Sequence, residues 1–268
     1  MVRKWTLYIR ICSAVFSVDN RHAWIMDEYI RTLVEPKESY NLVVTGNTSK
    51  ITTDFKPPLY LRKDRTYELA LINLETYYSF PNIDATNNTF RYSKDDGKMW
   101  TDVTIPIGCY EIRAINKDII RQIPNKAITV KPNKNTLQSI LTIASHYSVD
   151  FTVKNCLASV LGFENKIYKA GIHVGERIVN ILRINSILVN TNIITGSYLS
   201  GKAVPTLSNF FPDVRPGDKI VYSPVNLIYV PVTVDTITRL TSWLTDQSHQ
   251  ALNLRGEQLT IRFHLRER

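Results

Sequence analysis

The sequence predicts an all-β protein: two sheets packed as a sandwich, with one or two short helices laid over them. Three observations carry that expectation. Roughly ten short strand-like runs are separated by turn signals at even spacing, the pattern of sandwiches and barrels and not of alternating β-α-β units. Ile, Val, Thr and Tyr are abundant while Gly occupies only 10 of 268 positions, a composition that favours strands. The final run, LTIRFHLR, alternates cleanly. Leu259, Ile261, Phe263 and Leu265 fall on one side, and Thr260, Arg262, His264 and Arg266 on the other, so the strand has one buried and one wet face. Apolar residues make up 44% and charged residues 21%, enough for a real core, and the length accommodates one large β domain or two of ordinary size.

Residues 1–39 lack a strand period and are assigned to an irregular N-terminal arm or extension, with a helix-like stretch near Trp24–Leu33; residues 40–268 are assigned to the β domain. The start, MVRKWTLYIRICSAVFSV, looks like a secretion signal, but Arg10 interrupts the apolar run and the run is too short to span a bilayer. An intracellular protein without a membrane span is expected. YNLVVTG and SKITTDF read as strands joined at Gly46-Asn47, after which Pro57-Pro58 breaks the pairing. TYELALINLETY is apolar on both parities and reads as a central strand covered on both faces. Residues 84–99 look like a long hairpin or exposed loop, and WTDVTIPIG like a strand. In YEIRAINKDIIRQI, Ile112, Ile115 and Ile119 stand at helical spacing. KAITVKP and TLQSILTIA flank a turn at Pro132–Asn135, and SVDFT is a further short strand. CLASVLGF reads as a second helix, with Gly162 at its end. VNILRINSILVNTNII, IVYSPVNLIYVPV and DTITRLTSWLTDQ are strands, and Gln247–Gln250 turns the last hairpin. The long connections fit a Greek-key or jelly-roll route.

Net charge is +9, with Arg113, Lys117, Arg121, Lys126, Lys131 and Lys134 opposed only by Asp118, and Arg262, Arg266 and Arg268 closing the chain. Such an excess suits nucleic acid or an anionic surface, although a solvated face is the commoner role of any one position. Cys12, Cys109 and Cys156 are odd in number and lack paired spacing, which argues against a disulfide framework and a zinc site. His22, His146, His173, His249 and His264 are scattered, and Asp95-Asp96 reads as a solvated turn. Gly196-Ser197 lacks the nucleophile-elbow pattern. No catalytic, cofactor-binding or metal-binding residue is assigned, no enzyme activity or cofactor is expected, and no interface residue can be named from the sequence. Tyr77-Tyr78-Ser79-Phe80-Pro81 and Phe210-Phe211-Pro212 put rings beside prolines, as a lid over one end of the core or as a contact surface.

Several segments together carry a resemblance: YELALINLETYYSFPNI, VTIPIGCYEIRAINKDI, CLASVLGF, NIITGSYLSGKAVPTLSNFFPDVRPGDKIVYSPVNLIYVPV and WLTDQSHQALNLRGEQLTIRFHLR. In order and co-occurrence they resemble the minor capsid (penton) proteins of adintoviruses and of Polinton (Maverick) elements, which are virus-like transposons of animal genomes. The resemblance covers about residues 40–268; the segment before residue 40 departs from it. It implies a single jelly roll that forms homopentamers at the fivefold vertices of an icosahedral capsid. It also implies double jelly-roll hexon subunits as neighbours, and a place in the virion capsid after assembly inside cells. The basic excess then offers packaged DNA a weak contact. Three other readings compete. A secreted or surface β-sandwich binding a receptor or glycan is suggested by the signal-like start and the sequons at Asn47 and Asn87. A jelly-roll enzyme of the cupin type needs clustered His and carboxylates, and a hexon needs two full jelly rolls, which would strain this length.

Overall fold

The computed structural model describes residues 37–268. The expected arm, with Cys12, His22 and the stretch near Trp24–Leu33, lies outside the described residues.

The first three strands are β1 (Ser39–Gly46), β2 (Lys50–Tyr60) and β3 (Tyr67–Tyr77). Gly46-Asn47 does join β1 to β2, but the two do not form a hairpin. β1 pairs with the last strand of the chain and β2 with the one before it, so the turn is a corner between sheets. Nor do Pro57-Pro58 end β2: they sit in a register shift, beyond which Leu59 and Tyr60 pair again.

The chain then builds a second, inserted unit: β4 (Thr89–Ser93), β5 (Thr101–Thr104), α1 (Ile112–Gln122), β6 (Ile128–Asn133), β7 (Gln138–Asp150), α2 (Ala158–Leu161) and β8 (Ile167–Val174). β7 pairs with β6 and β4 along one edge and with β8 along the other. It is one 13-residue strand where two were expected, because His146, at a φ of 68°, and a register shift between Ile143 and Ser148 interrupt its period without ending it. α1 buries Ile112, Ile115 and Ile119, as its spacing predicts, and Pro124 just beyond Ile123 prevents its continuation. α2 ends at Gly162, whose φ of 81° and closeness to the Arg177 carbonyl exclude any side chain. Phe90, Phe151, Phe163 and Tyr168 pack edge-on or stacked in this unit's own core.

The remaining strands are β9 (Ile187–Thr191), β10 (Ser197–Leu199), β11 (Lys202–Val204), β12 (Thr206–Phe210), β13 (Lys219–Tyr222), β14 (Val230–Pro231), β15 (Thr236–Thr245) and β16 (Leu259–Glu267). Of the strand expected over 179–194, only Ile187–Thr191 forms a strand, and Ile194 adds a single isolated bridge to Val232. Two sheets result, ordered β1-β16-β3-β13 and β12-β9-β15-β2, with β14 also on β3 and β10-β11 a separate ribbon. All their pairings are antiparallel. Along the eight strands of these two ordered paths, the chain crosses between the sheets at every step except β9 to β12, which is the eight-stranded jelly-roll path. The protein is all-β with two short helices. Gln247–Gln250 is therefore another corner, since β15 and β16 lie in opposite sheets.

β16 sits between β1 and β3, and Leu259, Ile261, Phe263 and Leu265 are all fully buried against the opposite sheet. Its other face is not simply wet. The His264 ring lies 2.7 Å from both Tyr229 Oη and Ser39 Oγ, and Arg266 stacks 3.4 Å over the Tyr229 ring while pairing with Glu68. β3 is apolar on both parities because a register shift opposite Arg262–Phe263 lets Leu71 and Leu74 both reach the core.

Phe263→Ala is expected to cost about 3–5 kcal/mol, read from the urea midpoint. Arg262→Ala, on the exposed side of the same strand, should move stability by less than about 0.5 kcal/mol. In the inserted unit, burial works to raise the Glu176 carboxyl, but Lys166 at 2.7 Å and the Tyr168 hydroxyl at 2.9 Å outweigh it and hold it down at about 2. Its ordinary value is 4.5, so its contribution is complete above that pH and fades as pH falls toward 2. The melting-temperature gap between wild type and Glu176→Gln should close over that window; a constant gap would refute the assignment.

Candidate interaction surfaces

No three His, Cys, Asp or Glu side chains converge on a metal-sized site among the described residues. Several of the candidates among the described residues have local partners instead. Asp95 accepts bonds from the Ser93 hydroxyl and the Lys98 and Met99 amides, which closes a turn, and Asp96 faces His146 at 3.1 Å. His173 Nε2 lies 2.7 Å from the Lys169 carbonyl. Gly196 takes a φ of 95° and leads into β10, with Ser197 on that ribbon. The thiol of Cys109 donates to the Phe80 carbonyl, and burial pushes it up; burial pushes Cys156 up to about 11, and its sulfur accepts from the Ala158 amide. Neither is a thiolate at neutral pH, so neither is an activated nucleophile. No helix among the described residues is long and apolar enough to cross a membrane.

The sequons separate. Asn47 is exposed on its corner. Asn87 is buried: its amide donates to the Asn82 carbonyl and its oxygen accepts from the Asp84 amide, which leaves no room for a glycan in the folded chain.

The aromatic-proline segments divide by residue. Tyr78, Phe80 and Phe210 are buried in the jelly-roll core, and Phe210 stacks 4.2 Å from Tyr222. Tyr77 and Phe211 point outward. Other exposed apolar side chains lie on two sheet edges. After β13, the loop Ser223–Tyr229 carries Val225 at 98% and Ile228 at 70% exposure, beside a cleft of about 310 Å³ that reaches Leu207 of β12 and Leu71 of β3. β8, the outer neighbour of β7, carries exposed Ile167, Ile172 and Val174. The expected strand IVYSPVNLIYVPV is thus split by the Ser223–Tyr229 loop, and the Ser-Pro and Val-Asn pairs inside it are the sequence signal for the break.

The basic stretch is also sorted by the fold. Arg121 pairs with Asp118, and Lys126 lies in a 3-10 turn at Pro124–Lys126. Arg113, Lys117, Lys131 and Lys134 line one open cleft of about 450 Å³ between α1 and the β6–β7 hairpin. Of the closing group, Arg266 is taken up by Glu68 and Tyr229.

A third cleft, of about 400 Å³, lies where the inserted unit meets the jelly roll. It is bridged, not free: Gln247 donates to the Arg183 carbonyl and accepts from the Asn185 amide, Arg183 pairs with Asp84 at 2.9 Å, and Asn82 binds Tyr110 and the Ile181 carbonyl.

No protein-family model matches the chain, and no curated protein is significantly similar to it. Among solved structures, the chain is similar to a mavirus penton protein determined with selenomethionine, at 9% identity and a TM-score of 0.48, over 87% of this chain and 100% of that one.

In native protein at pH 7.5, iodoacetamide should modify Cys109 and Cys156 far more slowly than in urea, as read by peptide mass spectrometry. Equal rates would show that the thiols are not held by the fold.

Proposed function

We propose that this protein is a structural capsid subunit of the penton type, which forms a homopentamer at an icosahedral vertex and meets double jelly-roll hexon subunits around it. The observation that carries the reading is the strand path β1-β16-β3-β13 over β2-β15-β9-β12. It is built from the segments whose order resembles penton proteins of adintoviruses and Polinton elements. A jelly roll alone does not name a function, since lectin domains and cupins share it. What supports assembly is the surface. A ring of five uses a head-to-tail contact, and such a contact needs two different, complementary patches on each subunit. Val225 with Ile228 at the end of one sheet, and Ile172 with Val174 on β8, are two exposed apolar patches on different elements. An isologous dimer would need only one.

The function asked of such a subunit is rigid shape. The two cores and the bridged cleft between the units supply it, and neither proton transfer nor a cofactor enters the work. Assembly would take place within the infected or element-bearing cell, and the product would reside in the virion.

Sedimentation of the purified full chain is expected to give a species five times the 30.8 kDa chain mass. Val225→Asp with Ile228→Asp should weaken that assembly at least about tenfold, because interface-centre apolar contacts dominate association, and should leave the circular dichroism spectrum unchanged. A trimer would select the surface-binding reading, and a monomer at all concentrations would end the capsid reading.

A further inference from the structure

We infer that the cleft between α1 and the β6–β7 hairpin is a binding site for the phosphate backbone of nucleic acid, held by Arg113, Lys117, Lys131 and Lys134. Arg113 and Lys117 stand four residues apart and so share one face of α1. Lys131 and Lys134 come from the hairpin opposite, giving the cleft two basic walls. All four side chains are exposed, and none has an ion-pair partner among the described residues, whereas the neighbouring Arg121 is neutralised by Asp118. Unpaired cations facing each other across a cleft repel, and an anion between them relieves that repulsion.

The floor of the cleft shows which polyanion fits. β6 is an edge strand, paired only with β7. Its outward amide at Val130 already donates to Asn116 Oδ1 at 2.7 Å, and the next outward position is Pro132, which has no amide to donate. An acidic peptide therefore cannot add to this edge as a strand, the route by which extended peptides gain a defined grip. The lining holds no aromatic ring on which a base could stack. What remains is Arg, Lys and an Asn amide, the donor set that contacts phosphates without reading sequence. Bridging Val130 through its oxygen fixes the Asn116 side chain, so the amide nitrogen is oriented before any ligand arrives.

The inference rests on the capsid reading only in choosing nucleic acid among polyanions; the cleft's geometry is independent of it. Four phosphate contacts predict a binding constant that falls about 100-fold between 50 and 200 mM salt, and two contacts a fall of about 10-fold. The experiment is fluorescence anisotropy of the full chain with a labelled 20-base-pair duplex of arbitrary sequence, over that salt range. Lys131→Ala with Lys134→Ala should bind at least tenfold more weakly at 100 mM salt and show the shallower salt dependence. Lys94→Ala with Lys154→Ala, which makes the same change in net charge at exposed sites outside the cleft, should bind as wild type. Equal losses from both pairs would reduce the effect to net charge and overturn the site. Absence of duplex binding, or tighter binding of poly-Glu or of phosphatidylserine vesicles than of the duplex, would also overturn it. Sedimentation of the same samples keeps the two proposals apart: pentamers that do not bind DNA sink the cleft alone, and DNA-binding monomers sink the capsid reading alone.

Discussion

The structure depends on the seating of β16 between β1 and β3. Ser39 pairs with Arg266 and Gly46 with Leu259, so the beginning of the described chain is closed by its end. The four side chains on the inner face are buried completely, and each is worth roughly 1.5–3 kcal/mol against exposure. Remove β16 and β1 loses its strand partner among the described residues, while β3 gains an open edge. A one-residue slip would be as damaging, since it would turn Arg262, His264 and Arg266 into the core. The outer face locks that register a second time. His264 reaches Tyr229 and Ser39, and Arg266 reaches Tyr229 and Glu68, so three separate segments meet the same strand at fixed positions.

That closure explains how the fold accommodates an insertion between β3 and β9. The jelly roll does not need those connecting residues, because its registers are set by pairs distant in sequence. The insertion has only to leave and return at neighbouring points. Asn82 on the way out binds the Ile181 carbonyl on the way back, and Gln247 of the β15 corner holds Arg183 and Asn185. Loop-closure entropy grows only slowly with length, so a long insertion is tolerated once its ends are pinned. It also carries its own core around Phe151 and α1.

Face was legible in the sequence, and pairing was not. Alternation in LTIRFHLR names the buried side chains correctly, and the Ile112-Ile115-Ile119 spacing finds α1, because both are local consequences of backbone geometry. The turns at Gly46-Asn47 and Gln247–Gln250 are legible in the sequence, but not that they are corners, because a turn between sheets uses the same residues as a turn within one. The length of β7 was hidden by a bulge, and the presence of two cores by the fact that periodicity does not say which core a face joins. The basic residues show the same limit from the functional side. Their sum was visible, but only the fold cancels Arg121 against Asp118 and Arg266 against Glu68 and leaves four cations on one cleft.

The treatment of the exposed edges separates their uses. An unpaired edge invites another strand, and a chain that must stay apart from others blocks it. β6 is blocked twice, by Asn116 capping Val130 and by Pro132, so its side of the molecule is closed to strand addition while its charges remain open to an anion. β8 and the loop after β13 present Ile172, Val174, Val225 and Ile228 to solvent. Leaving apolar groups bare at those edges while protecting β6 is costly for a protein that works alone, and it is coherent for one whose edges are covered by copies of itself. On the proposed function, the apolar edges would meet neighbours and the guarded basic cleft a charged polymer, with the β16 closure holding both at fixed positions.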